Sequence, residues 1–200
     1  VFQKSNFIGI YGAMNQGIIY ARKKDWITFW GSDDWLPNRN TLMQLFEEII
    51  NIPSPIDMTI CNVKYLSSDN LILRESSFAK SKMILNSNKY FKRFLMGSIP
   101  PHQGAVFSPK FFECYKPYNE FYRIAADLDF FISIGKRKNF LTYCSNMHLL
   151  NLSIGGESQK KILLKIRDLI LIYFKYFYFL FFYPLLVRYI KRLMSIKRLS

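Results

Sequence analysis

A run of aromatic and β-branched residues, DWITFW at positions 25–30, stops at Gly31-Ser32 and two adjacent carboxylates, Asp33 and Asp34. Such side chains favour a pleated strand and Ser-Asp-Asp favours a turn, so the segment predicts a buried strand over 25–30 that delivers two acids into a loop. In an open α/β sheet, the C-terminal edge of the strands is where ligand and metal sites are built. The same Ser-Asp-Asp also serves as turn and cap chemistry ahead of a helix, and this stretch alone leaves both readings open.

Two hundred residues, half of them hydrophobic, suffice for one well-cored domain with a small appendage. VFQKSNFIGI has neither a basic start before an apolar run nor a small-residue cleavage site, so the chain is expected to be truncated or processed and not secreted through this N-terminus. Cys61, Cys114 and Cys144 form no CxxC pattern, which argues against a disulfide framework or a zinc site and for a reducing compartment. His102 and His148 are the only histidines. That scarcity disfavours imidazole metal sites and Ser/His or Cys/His nucleophiles, and leaves the chemistry to carboxylates.

The formal charge is +14, and residues 159–200 hold ten Lys or Arg against the single acid Asp168. The globular part is therefore only modestly basic. A nucleic-acid binder would need its charges interleaved with aromatics on that part, so nucleic acid is not expected as a partner.

Helical spacing over residues 10–22 places Ile10, Ala13, Met14, Ile18 and Ala21 on one face. Asn40 or Thr41 caps a second helix with an apolar stripe of Leu42, Leu45, Phe46, Ile49 and Ile50, ended by Pro53 and Pro55. MTICNVKYL predicts a half-exposed strand at 58–66 that reverses through Ser67-Ser68-Asp69-Asn70 into LILR. Asn88 opens a helix through Leu95, Gly97 closes it, and the stiff loop GSIPPHQ leads into a buried strand QGAVF, after which Ser108-Pro109 starts another helix. IAADLDFFISIGKRK passes from loop to helix, FLTYCSNM is a strand, and a Gly155-Gly156 break follows.

The ordered series IYGAMNQGI, DWITFWGSDDWLP, PPHQGAVF, IAADLDF and GGES resembles the family-2 glycosyltransferases of the GT-A fold, particularly those that build bacterial surface polysaccharides. The likeness spans roughly residues 7–158, and several motifs in the right order are more specific than any one of them. It implies an α/β, Rossmann-like nucleotide-sugar transferase domain, incomplete at its N-terminus, over residues 1–158. By that resemblance Asp33 and Asp34 bind a divalent cation (Mg2+ or Mn2+) and the donor diphosphate, with Asn15 and Gly17 near the donor phosphates. Asp127 is the general base for the acceptor hydroxyl, with Asp129 the competing candidate, and His102 and Gln103 lie on the acceptor side. Read without the resemblance, Asp127 is a helix N-cap, His102 a hydrogen-bonded loop residue, Asn15 and Gly17 a polar notch and a packing residue, and Arg123 an exposed surface side chain.

The sequence departs from that family at three points. A strand-helix-strand segment that precedes the matched part in the family has no counterpart here, Gly12 stands where Asp is usual, and Gly31 where Asp or Asn is frequent. A non-enzymatic remnant is thus the rival reading of the same scaffold.

Residues 169–187, LILIYFKYFYFLFFYPLLV, are long enough as a helix to cross a bilayer, with Lys175 as the only charge and Pro184 as an expected kink. Nine aromatics between Tyr173 and Tyr183 and basic flanks favour a helix in the headgroup plane, attracted to anionic lipid. The segment 159–200 is therefore expected to be a membrane-associating tail that holds the protein at the cytoplasmic face of the cell membrane. There the acceptor would be a glycan or polyprenyl-linked glycan.

Overall fold

The computed structural model describes residues 9–76, 78–109, 111–153 and 161–196. β1 (Met58–Leu66) organises the sheet. It pairs in parallel with β5 (Leu141–Ser153) along one edge. Along its other edge, β2 (Ile72–Glu75) and β4 (Ala105–Phe107) pair antiparallel with its second and first halves. β3 (Met83–Asn86) runs antiparallel to β5, giving the order β2-β1-β5-β3 with β4 beside β1. The result is a mixed α/β fold with a curled sheet.

Alternation along β1 sends Met58 and Ile60 to one face and Cys61 and Val63 to the other, and both faces are covered. The first half of β1 is therefore buried throughout instead of half-exposed. On β5 the register passes from Ile60↔Cys144 to Val63↔Leu150, an insertion of three residues. An odd insertion inverts the facing of all later side chains, so Cys144 belongs to the larger core whereas Leu150 and Leu152 belong to the smaller one.

The smaller core lies under α2 (Thr41–Ile50), which buries Leu45 and Ile49 as its stripe predicts and leaves Ile50 exposed. Asn40 makes no side-chain cap there; instead Thr41 Oγ1 accepts the Asn38 N–H and donates to Asn38 O, and Asn38 Oδ1 accepts the Asn40 N–H. The larger core gathers α1 (Ile10–Tyr20), α3 (Ser87–Leu95), α4 (Phe111–Cys114) and α5 (Ala126–Gly135). α3 begins one residue before Asn88, because Asn86 caps the backbone N–H of Lys89 at 3.0 Å. It ends in a Schellman turn: Ser98 N–H reaches Arg93 O at 2.8 Å and Gly97 N–H reaches Phe94 O at 2.9 Å, with Gly97 at φ 65°.

Three expectations are corrected. α1 forms, and Met14 and Ile18 pack on the larger core as the spacing predicts, but its fully buried residues are Tyr11 and Gly12, while Ile10 and Ala13 are exposed. The rotation follows the Tyr11 ring, which packs on Tyr118 with centroids 5.6 Å apart. Residues 25–30 form no strand: Ile27 makes a single bridge to Phe107, and the side chains from Trp26 to Phe29 are only half-buried. The tail is two helices, α6 (Ile162–Phe177) and α7 (Phe182–Ile196), bent by 116°.

The bend starts six residues before Pro184, at Tyr178 with φ 47°. Proline in a helix interior clashes with the carbonyl four residues back, here Leu180, whereas near the start of α7 its missing N–H leaves nothing unpaired. Among the described residues no single helix is long and apolar enough to cross a membrane, although the bent pair together meets that length and composition. α6 packs on the domain through Asp168, Ile172, Tyr173 and Phe177. The Gly155-Gly156 break and GGES lie outside the described residues.

Candidate functional site

Asp127 sits in the first turn of α5, where a carboxylate is favoured by the helix dipole. It is not the N-cap. That position is Ala125, with no side-chain cap, and Asp127 instead accepts a hydrogen bond from the Tyr11 hydroxyl, 3.0 Å from its Oδ1. The same hydroxyl lies 3.1 Å from Ile124 O, and burial next to the Asp127 charge pushes the Tyr11 phenol far above its usual range, so it remains a donor. The segment leading into α5 is fixed from behind, where the buried Asp168 of α6 accepts the N–H of Ile124 at 2.9 Å.

His102 opens a 3-10 turn, His102–Gly104, in which a Cβ on Gly104 would stand 2.5 Å from the Cys61 carbonyl oxygen. Its ring is buried against Phe29, and Nε2 lies 2.8 Å from the Tyr118 hydroxyl. Desolvation lowers the His102 pKa and so keeps the imidazole neutral near pH 7, although the Asp127 charge partly counters it.

His102, Gln103 and Asp127 line one cavity of about 280 Å³, together with Arg74 from β2 and Arg188 and Lys191 from α7. The basic residues escaped the sequence reading. Arg74 lay in a hairpin, Arg188 and Lys191 in the supposed lipid flank, and only topology brings them to Asp127. Tyr11 and Tyr118 escaped it as well, and nothing in their local pattern marks them.

Asp33 and Asp34 stand outside the lining of that cavity. Their loop is strapped to the end of β5: Trp35 and Asn151 exchange backbone hydrogen bonds, and Ser153 Oγ donates to Asp33 O at 3.0 Å. Both the acidic loop and the cavity thus adjoin the C-terminal end of the parallel β1–β5 pair. Asp34 Oδ2 accepts the Gly31 N–H at 2.6 Å. Desolvation raises the Asp34 pKa, the Gly31 hydrogen bond opposes the rise, and the neighbouring Asp33 charge adds to it.

A Cβ at Gly31 would stand 2.8 Å from Asp33 Oδ1 and 3.0 Å from Asp34 Oδ2, so both carboxylates border one small space that only glycine leaves open. Two hard oxygens facing one space suit a divalent cation whose other ligands are water or phosphate. Among the described residues no group of three or more metal-ligating side chains adds to the pair.

The remaining candidates are placed elsewhere. Asn15 is fully engaged with the 118–120 loop, its Nδ2 donating to Tyr118 O and Glu120 Oε1 while its Oδ1 accepts the Tyr118 N–H. A Cβ on Gly17 would meet Phe29 at an ordinary 3.9 Å, so no close approach requires glycine there. Asp129 is buried on the opposite side of α5's first turn, bonded to Lys175 Nζ of α6 at 2.6 Å. Arg123 is exposed.

No protein-family model matches the chain. Over 122 residues it is 31% identical to the PGL/p-HBAD biosynthesis glycosyltransferases of Mycobacterium bovis and Mycobacterium tuberculosis, a match covering 61% of this chain and 42% of theirs. The sequence relatives are glycosyltransferases. The matched stretch spans less than half the length of these curated relatives. Among solved structures, S. aureus TarS residues 1–349 superposes with a TM-score of 0.56 and 14% identity, over 86% of this chain and 46% of that one. Longer S. aureus TarS gives the same TM-score at 15% identity, over 28% of its length. The fold is therefore similar to that of S. aureus TarS.

Proposed function

We infer that this chain carries the acceptor side, and part of the donor side, of an inverting GT-A glycosyltransferase that moves a sugar from a nucleotide-diphosphate donor to a hydroxyl of a surface glycan. The observation that carries the reading is Asp127. It is a half-buried carboxylate oriented by Tyr11, at the mouth of α5, lining a cavity beside a neutral His102. Asp127 takes the proton from the acceptor hydroxyl as that oxygen bonds to the anomeric carbon and the bond to the nucleoside diphosphate breaks on the other face of the sugar. A divalent cation held by Asp33 and Asp34 would stabilise the charge on the departing diphosphate.

The cytoplasmic face of a membrane is the setting we infer. At the bend between α6 and α7, Tyr178, Phe179, Leu180, Phe182 and Tyr183 are exposed, and Phe179 is 87% accessible. Aromatic and aliphatic side chains on a basic tail suit a headgroup boundary containing anionic lipid. There the acceptor could be carried on a polyprenyl chain.

The rival reading, a scaffold without a working donor site, draws on the absence of Asp33 and Asp34 from the cavity lining. Calorimetric titration of the full chain with UDP, GDP and TDP, with and without Mn2+, separates the two. Metal-dependent binding that is lost in Asp33→Ala and Asp34→Ala supports the enzyme; no binding of any nucleotide supports the remnant.

A further inference from the structure

The cavity beside Asp127 holds more positive charge than a proton-abstracting site for a neutral sugar requires. Arg188 contributes a guanidinium to the lining, and its buried Nη1 has no hydrogen-bond partner at normal distance among the described residues, nor has the Tyr173 hydroxyl beside it. Leaving a charged donor unpaired away from water is costly, and the cost is recovered when an oxyanion fills the space. Arg74 faces the same cavity with its guanidinium stacked on the Tyr65 ring, 3.9 Å from the centroid, which fixes its planar fork in place. On the acidic side, Glu75 is paired with Lys64 at 3.5 Å, leaving Asp127 as the remaining carboxylate in the lining.

These groups are set by backbone geometry. Gly97, in the left-handed turn that ends α3, approaches α7 so closely that a Cβ would lie 2.6 Å from Arg188 N. Lys191, one turn further along α7, donates from Nζ to Met96 O at 2.6 Å and Ser98 Oγ at 3.2 Å, placing a cation at the C-terminus of α3. The α3–α7 contact therefore holds the Arg188 backbone rigidly over the cavity.

We propose that this cavity binds an oxyanion of the acceptor, a carboxylate or phosphate group, between Arg188 and Arg74, so that the acceptor is an acidic glycan whose neighbouring hydroxyl faces Asp127. The assignment rests on the glycosyltransferase reading for the word acceptor and on the cavity alone for the anion. Arg188 and Arg74 are then the specificity-determining residues.

The test is titration of the full chain, without donor, with glucose, glucuronate and glucose 6-phosphate. At least one of the two acidic sugars should bind about tenfold or more tightly than glucose, as a charge-assisted hydrogen bond implies. Which acid binds distinguishes carboxylate from phosphate. Arg188→Gln and, separately, Arg74→Gln should remove the preference, and urea midpoints identify any variant that has merely unfolded. Equal affinity for all three sugars overturns the proposal, as does a preference that survives in both folded variants. Displacement of the bound acid by UDP with Mn2+ also overturns it, since the anion site would then belong to the donor. Nucleotide binding measured on its own reports the transferase reading independently, so the failure of one is visible apart from the other.

Discussion

Asp168 of α6 accepts the backbone N–H of Ile124 at 2.9 Å, three residues before Asp127, and Lys175 of the same helix bonds Asp129 two residues after it. The aromatic-rich tail is thus the buttress of the segment that carries the proposed base. Asp168→Ala would leave the Ile124 N–H without its partner and should lower unfolding stability by about 1–3 kcal/mol in urea. It should also reduce kcat more than donor affinity, because it loosens Asp127 and leaves Asp33 and Asp34 untouched. Equal loss in nucleotide binding would show that the two regions are not separate.

Gly31→Ala tests the acidic pair. The atoms nearest the new methyl belong to two Asp side chains, which can swing aside, so the unfolding free energy should change by no more than about 0.5 kcal/mol. The carboxylates would no longer border a shared space, and Mn2+ affinity by calorimetry should fall. In the wild type, the raised Asp34 pKa makes protons compete with the cation at a higher pH than at an isolated carboxylate, so Mn2+ affinity should decline as the medium is acidified.

The buried His102 gives a pH signature of stability. Its folded pKa is depressed, so on acidification through the unfolded-state value near 6.5 the unfolded chain takes up a proton that the folded chain refuses. The stabilisation is present above that value and drains away below it. Urea midpoints from pH 7.5 to pH 5 should fall more steeply for the wild type than for His102→Gln. His148, also depressed by burial, contributes to both curves, so the difference isolates His102. Parallel curves would contradict this assignment.

Phe179→Glu with Phe182→Glu probes the bend. Both side chains are exposed, so folding should be unaffected while co-sedimentation with vesicles containing anionic lipid drops severalfold. Undiminished sedimentation would move membrane contact away from residues 178–183.

What could be read from the chain followed local rules. The β1–β2 hairpin, α2, and the Gly97 stop of α3 are set by neighbours a few residues apart, and they stand where spacing and turn chemistry place them. The errors came where distant partners decide. Tyr11 turned α1 because its hydroxyl and ring answer to Asp127 and Tyr118, more than 100 positions away. DWITFW, for all its β propensity, found one bridging residue in Phe107 and so stayed extended without becoming a strand. The tail was expected to associate with a membrane, yet Ile172, Tyr173 and Phe177 pack α6 into the larger core, and Asp168 and Lys175 bond it to α5 and its approach. Of the candidate site, Asp127, His102 and Gln103 were legible and do share a cavity. Arg74 and Arg188 were not, because no pattern in a single sequence reports that a hairpin and a tail helix meet above the same turn.

The most direct test is Asp127→Asn in the full chain, assayed for sugar transfer and for nucleotide binding side by side. The change keeps the size of the side chain and its acceptor oxygen for the Tyr11 hydroxyl, while removing the base. Transfer should fall by about a hundredfold or more with nucleotide affinity unchanged. Transfer at the wild-type rate would show that Asp127 does not take the acceptor proton.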